Sequence, residues 1–223
     1  MVWIKATYEF ASFFSYRIPD FSSQYALSSI LPGPSTIKLA IVSTAIETTG
    51  SVEYGKEIFE VIKNAQIKFS LPKKVAQTNV LIKRLKKKKE KSGLETTYGI
   101  RGYIHYPEKF NIFLDISNRP EEIEKILKNI RRFGTSDSLV WCSGIDKQTP
   151  PKNAISATSK LESGSGKDKV VIPVKDINPK AQFDDINVYS KKGMGKNILE
   201  RKIYSISVSN RTQGKNWVVY EFI

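Results

Sequence analysis

Apolar residues in this chain recur first at every second position, then at helical spacing, then at every second position again. The order of these periods limits the fold more than any single motif does. Residues 2–8 alternate, with Val2, Ile4, Ala6 and Tyr8 on one side and Trp3, Lys5 and Thr7 on the other, which predicts a half-buried strand. Ser35 then stands as the expected N-cap of a helix whose Ile37, Ala40, Ile41, Thr44 and Ala45 share a face and which Gly50 ends. A second helix is expected over 54–65, with Tyr54, Ile58, Val61, Ile62 and Ala65 inward. Extended patterns return at 67–71 and 75–85, and those at 98–106 and 110–116 flank Pro107-Glu108-Lys109 as a predicted hairpin. A third helix is expected after Asn118, with Pro120 in its first turn and Glu121 and Glu122 at its positive end. Arg131 and Arg132 would close its negative end before Gly134, and Ile123, Ile126, Leu127 and Ile130 would form its buried stripe. A short strand at 138–142 completes the series. Strand, helices, strand, strand, helix, strand is the order of an α+β, ferredoxin-like (RRM-like) βαββαβ domain, placed here at residues 1–146.

Beyond it, 147–169 is rich in Ser, Gly, Pro and Lys without a sustained period and is expected to be a flexible connection. Residues 170–223 then form a β-rich C-terminal extension, with strands expected at 170–174, 186–189, 203–208 and 217–222.

Charge is concentrated in places. The chain has 36 Lys and Arg against 22 Asp and Glu, yet residues 68–91 alone hold 10 positive charges and 1 negative, while 92–150 hold 8 of each. Residues 151–223 add 13 against 7. Two basic segments separated by neutral chain suit a polyanion-binding groove; the competing interpretation is a solvated charge run. A single Cys142 excludes an internal disulfide, and with one His105 it leaves no zinc or redox centre, so no metal or cofactor is expected. Lys5 and Glu9 interrupt any apolar leader, and the most apolar stretch, 37–46, contains Lys38 and falls well short of the roughly 20 residues of a membrane helix. A cytoplasmic protein without a membrane partner is the expectation.

A ferredoxin-like sheet covered on one face leaves the other for aromatic stacking and cation contacts, the way such domains hold RNA. Trp3, Lys5, Arg101, Tyr103 and His105 are the expected occupants; alternatively, Trp3 and Tyr103 pack under the C-terminal extension. His105 raises the question of metal-independent RNA cleavage, but the sequence supplies no second His and no identified acid opposite it, so a stacking or structural role is preferred. Asp184 and Asp185 are adjacent and would point to opposite faces of a strand, which argues against a two-metal nuclease. Gly193-Met194-Gly195-Lys196 lacks the spacing of a phosphate loop and reads as a basic turn.

Several segments in order resemble one family: Phe14-Ser15-Tyr16-Arg17-Ile18-Pro19, Pro34-Ser35-Thr36 opening a helix, Gly99-Ile100-Arg101-Gly102-Tyr103, and Phe133-Gly134 with Ser136 and Ser138 before a strand. Over about residues 1–145 the chain is similar to CRISPR-associated protein family five of the repeat-associated RNA-binding superfamily. The basic tip and the scarcity of His point to an archaeal type I-A member. The resemblance implies an RNA-binding subunit of a type I effector (Cascade) in antiviral defence, which holds the 5′ handle of a CRISPR RNA and caps one end of the complex. It implies the backbone and large subunits as partners, with target DNA reached indirectly through the complex. A thumb-like hairpin is implied at about 75–98. The expected RNA contacts are Arg17, Ser35, Thr36, Lys83, Arg84, Lys86, Lys87, Lys88, Lys89, Arg101, Tyr103, His105 and Gly134, with no catalytic residue.

The chain departs from the family pattern in two places. Gly102 stands where an acidic residue often follows the Ile-Arg pair, and the glycine-rich loop is reduced to Gly134. A branch that cleaves precursor RNA uses a Tyr and an adjoining Lys-His pair; here His105 follows Ile104, so catalysis is not carried over. The alternatives are a metal-independent endoribonuclease using His105 and a general RNA-binding protein.

Overall fold

The computed structural model describes residues 2–22, 24–88, 92–160, 168–187 and 198–222. In chain order these form β1 (Val2–Phe10), β2 (Tyr25–Ala26), α1 (Pro34–Thr49), α2 (Val52–Ile62), β3 (Ile67–Ser70), β4 (Lys74–Lys87), β5 (Leu94–His105) and β6 (Phe110–Ile116). They continue with α3 (Pro120–Asn129), β7 (Val140–Lys147), β8 (Ile155–Ser156), β9 (Lys169–Ile177), α4 (Phe183–Ile186), β10 (Leu199–Gln213) and β11 (Trp217–Phe222). One sheet has the order β7-β1-β6-β3-β8, with every neighbouring pair antiparallel. The other has the order β2-β5-β4-β11-β10-β9, antiparallel except for the parallel β2–β5 pair.

The alternation in β1 buries Ile4, Ala6 and Tyr8 as expected, while Val2, at the start of the strand on the same side, is 37% exposed. The Tyr8 hydroxyl donates to the Leu127 carbonyl of α3 at 2.7 Å, so the polar end of a buried ring has a partner. Helix α1 begins earlier than its hydroxyl suggested. Gly33 is the N-cap, Pro34 takes the first turn, where its missing N–H is harmless, and Ser35 lies inside the helix. Ser35 Oγ donates instead to the Lys175 carbonyl of β9 at 2.9 Å. Helix α2 starts at Ser51, whose Oγ accepts from the Tyr54 N–H at 3.1 Å, and ends at Ile62. Helix α3 stops at Asn129, and Arg131 reaches back to the Lys128 carbonyl at 3.1 Å.

The expected hairpin about residues 107–109 is not formed. β5 pairs with β4, from Lys87↔Leu94 to Ala76↔His105, while β6 pairs with β1 and β3. Alternation identifies a strand and its two faces but leaves its partner open, and here 74–105 forms its own long hairpin between two strands that pair with each other. At the junction Phe10 stacks on Phe14 at 3.7 Å and on Phe110 at 5.0 Å, with Tyr106 edge-on to all three. The Tyr106 hydroxyl donates to the Ile30 carbonyl.

The strands of 170–223 join the hairpin, β11 pairing with β4 from Trp217↔Thr78 to Glu221↔Lys74. Within 147–169, β8 pairs with β3, and Thr158 bridges to Ile203 of β10, so this segment touches both sheets. Ile186, expected in a strand, ends the short helix α4. Residues 188 and 189, the turn at 193–196 and Lys89 lie outside the described residues.

A buried ionic cluster fastens α1 to the second sheet. Lys38 is 2% exposed; its Nζ lies 2.8 Å from Asp176 Oδ1 and donates to the Lys63 carbonyl at 2.9 Å. Lys202 Nζ meets Asp176 Oδ2 at 2.9 Å and Glu200 at 2.8 Å. Burial lowers the Lys38 pKa, and the Asp176 carboxylate opposes that shift.

Candidate nucleic-acid interface

Antiparallel partners lie on the same side of a sheet, so the β4–β5 register assigns each hairpin side chain to a face. Arg84 is opposite Thr97, Lys86 opposite Glu95, Val80 opposite Arg101, Thr78 opposite Tyr103 and Ala76 opposite His105. Continuing across β11, Trp217 is opposite Thr78 and Val219 opposite Ala76. One face therefore carries Lys86 and Arg84 near the tip, then Arg101, Tyr103 and His105, with Trp217 alongside. Lys83 and Lys87 are on the other face, opposite Tyr98 and Leu94. The lysine run does not act as a block, because alternation splits it. Lys88 is exposed just past the end of β4, its N–H donating to the Gly93 carbonyl at 3.1 Å.

Grouping Trp3 and Lys5 with Arg101, Tyr103 and His105 is overturned: the first two are on β1 in the first sheet and the other three on β5 in the second. Trp3 lies under Lys68 Nζ, 5.4 Å from its ring, and Lys5 faces Asp146 at 3.9 Å. The grouping failed because it assumed that β1 and β5 share a sheet, and that followed from the misassigned hairpin.

Arg17, Gln24, Ala26, Arg84, Lys86 and Arg101 line a groove of about 430 Å³ on the hairpin face. Arg17 is exposed and donates to the Phe21 carbonyl at 2.5 Å. Arg101 is held in place, its Nε donating to Ser15 Oγ at 3.3 Å and its Nη1 lying 3.6 Å from Asp137, which leaves the side chain 22% exposed. Ser35, Thr36 and Gly134 gather elsewhere, with Arg131 and Arg132, around a cleft of about 540 Å³ beside α1. Gly134 has φ 77° and sits against the Thr36 methyl. The loop after it joins the two groups, since Thr135 donates to the Ser15 carbonyl at 3.3 Å and Asp137 reaches Arg101.

Gly102 has a steric explanation. A Cβ there would lie 2.7 Å from the Ser28 amide nitrogen, because the segment after β2 packs directly onto β5. His105 places its ring 5.2 Å from Phe13. Two aromatics on this face escaped the sequence analysis: Phe13, 51% exposed, and Trp217, 47% exposed. Alternation in 217–222 was visible, but the side of the sheet Trp217 would occupy depended on a partner strand more than 130 residues away. Among the described residues no three His, Cys, Asp or Glu side chains gather as a metal site, and no helix is long and apolar enough to cross a membrane.

The fold and this face define a class: a two-sheet α+β protein with a basic hairpin projecting from its second sheet. No family model matches the chain. CRISPR-associated protein Cas5 of Archaeoglobus fulgidus is 46% identical over 228 aligned residues, which span 99% of each chain. A crystal structure of a CRISPR protein from Archaeoglobus fulgidus shares the fold, with a TM-score of 0.53 and 18% identity over 100% of this chain and 92% of that one. A chain of a CRISPR RNA-guided surveillance complex aligns at a TM-score of 0.46 and 9% identity over 92% of this chain and 89% of that one, a likeness too weak to build on. The protein belongs to the Cas5 family of CRISPR-associated proteins.

Proposed function

We propose that this protein is a noncatalytic RNA-binding subunit of a type I CRISPR effector (Cascade), of subtype I-A, which holds the 5′ handle of the CRISPR RNA and caps the backbone. The observation that carries this proposal is the gathering of Arg17, Arg84, Lys86 and Arg101 around one groove, with Tyr103 next along the same face. Clustered cations capture phosphates, and aromatic rings stack on unpaired bases, which suits a single strand held without sequence readout by the protein. The order β7-β1-β6-β3 supports a ferredoxin-like interpretation of the first sheet. The opposite face of the hairpin exposes Leu81, Leu85, Leu94 and Tyr98, and this apolar surface supports contact with a neighbouring backbone subunit. The large subunit and target DNA would be reached through the assembled complex.

His105 favours the noncatalytic role. Its ring packs toward Phe13, and its cross-strand neighbour is Ala76, which supports a stacking or structural role for it. Purified protein incubated with repeat RNA in EDTA should bind the RNA and leave it intact; specific cleavage lost in His105→Ala would overturn the noncatalytic assignment. Copurification should recover a CRISPR RNA, and recovery of bulk cellular RNA instead would make this a general RNA-binding protein.

A further inference from the structure

An apolar cleft of about 200 Å³ opens on the hairpin face between Phe13 and Trp217, floored by Ala76 and Val219. Its two aromatic walls come from distant parts of the chain, and both are about half exposed. Each is held in place. The Trp217 indole is wedged against Gly214, where a Cβ would lie 2.5 Å from Nε1, and the Gly214 N–H donates to the Trp217 carbonyl at 2.9 Å. Phe13 is braced by the His105 ring at 5.2 Å. Rings already fixed in position lose little freedom when a flat ligand enters between them. The cleft lies level with Ala76↔His105, four residues along β5 from Arg101, about 13 Å at the usual strand rise.

We infer that this cleft takes one unpaired base of the single-stranded RNA whose phosphates run along Arg101, Arg84 and Lys86. The inference rests on the RNA-binding function proposed above and adds a base subsite to it. Charge complementarity selects the occupant: a nucleotide brings both a flat apolar face for the cleft and an anion for the cations on the same face, whereas an apolar protein side chain brings only the first. His105 then acts as a positioning residue that keeps Phe13 upright.

The test is an abasic scan. The wild-type protein is titrated with the RNA that it binds, carrying an abasic site at each position in turn. One position should lose about 5- to 150-fold in affinity, the range for one stacked base. Trp217→Ala should lose a similar factor on intact RNA, little more on RNA abasic at that position, and keep the salt slope unchanged, while Trp217→Phe should recover most of the loss. A flat scan with Trp217→Ala binding normally overturns the inference, and the RNA-binding function stands if removing Arg84 and Lys86 still weakens binding. Loss of a copurifying protein without loss of RNA affinity also overturns it, by assigning the cleft to a neighbouring subunit. Wild-type protein that binds no RNA at all overturns the proposed function itself.

Discussion

In the first sheet Ile4, Ala6 and Tyr8 along the middle of β1 are all buried, whereas β4 in the second sheet starts near the fully buried Val75 and runs out to Leu81 and Leu85, 67% and 66% exposed. On the face of β4 that begins with Val75, polar Gln77, Asn79 and Lys83 interrupt the apolar series that β1 keeps through Ile4, Ala6 and Tyr8. The first sheet is closed by helices and by the aromatic cluster around Phe10 and Phe110. The second is anchored at its inner end and bare at its outer end. Burial at the anchored end holds the fold, and the bare hairpin places cations and aromatics where a long polyanion can lie across them.

The largest effect should come from the seam between the two regions. Asp176→Ala leaves Lys38 buried without its countercharge, and urea denaturation should show a loss of about 3–5 kcal/mol. A loss below about 1 kcal/mol would mean that the ionic cluster does not fasten α1 to the second sheet. Gly102→Ala drives a methyl group toward the Ser28 backbone and should cost about 1–3 kcal/mol, typical of overpacking, with the damage confined to the β2–β5 contact. The smallest effects sharpen the contrast between the two faces of the hairpin. Replacing Arg84 and Lys86 by Ala should lower the slope of log affinity against log salt by about 1.4, at about 0.7 per phosphate contact, with stability unchanged. Replacing Lys83 and Lys87, on the opposite face, should leave the slope as it was; equal losses from both pairs would show that the hairpin attracts RNA by net charge alone.

Most elements were legible in the sequence where local chemistry decides them. β1 followed from its alternation, and α3 from Pro120, the paired glutamates and the stripe from Ile123 to Leu127. What escaped was decided at long range. Nothing near 98–106 reveals that β4 rather than β6 is its partner, and that one choice separated Trp3 and Lys5 from Arg101, Tyr103 and His105. Ser35 has the chemistry of a cap, but Gly33 and Pro34 start the helix first, and its hydroxyl serves β9 instead. The basic segment was plain from composition, while its division between two faces needed the register. Phe13 and Trp217 become neighbours only once the second sheet is assembled.

The most direct test of the central claim is photo-crosslinking of 4-thiouridine-substituted RNA to the purified protein, with the modified residues mapped by mass spectrometry. Crosslinks should concentrate at Tyr103, Trp217 and Phe13 on the hairpin face of the second sheet. Crosslinks confined to Trp3 and Trp141, on the first sheet, would contradict it.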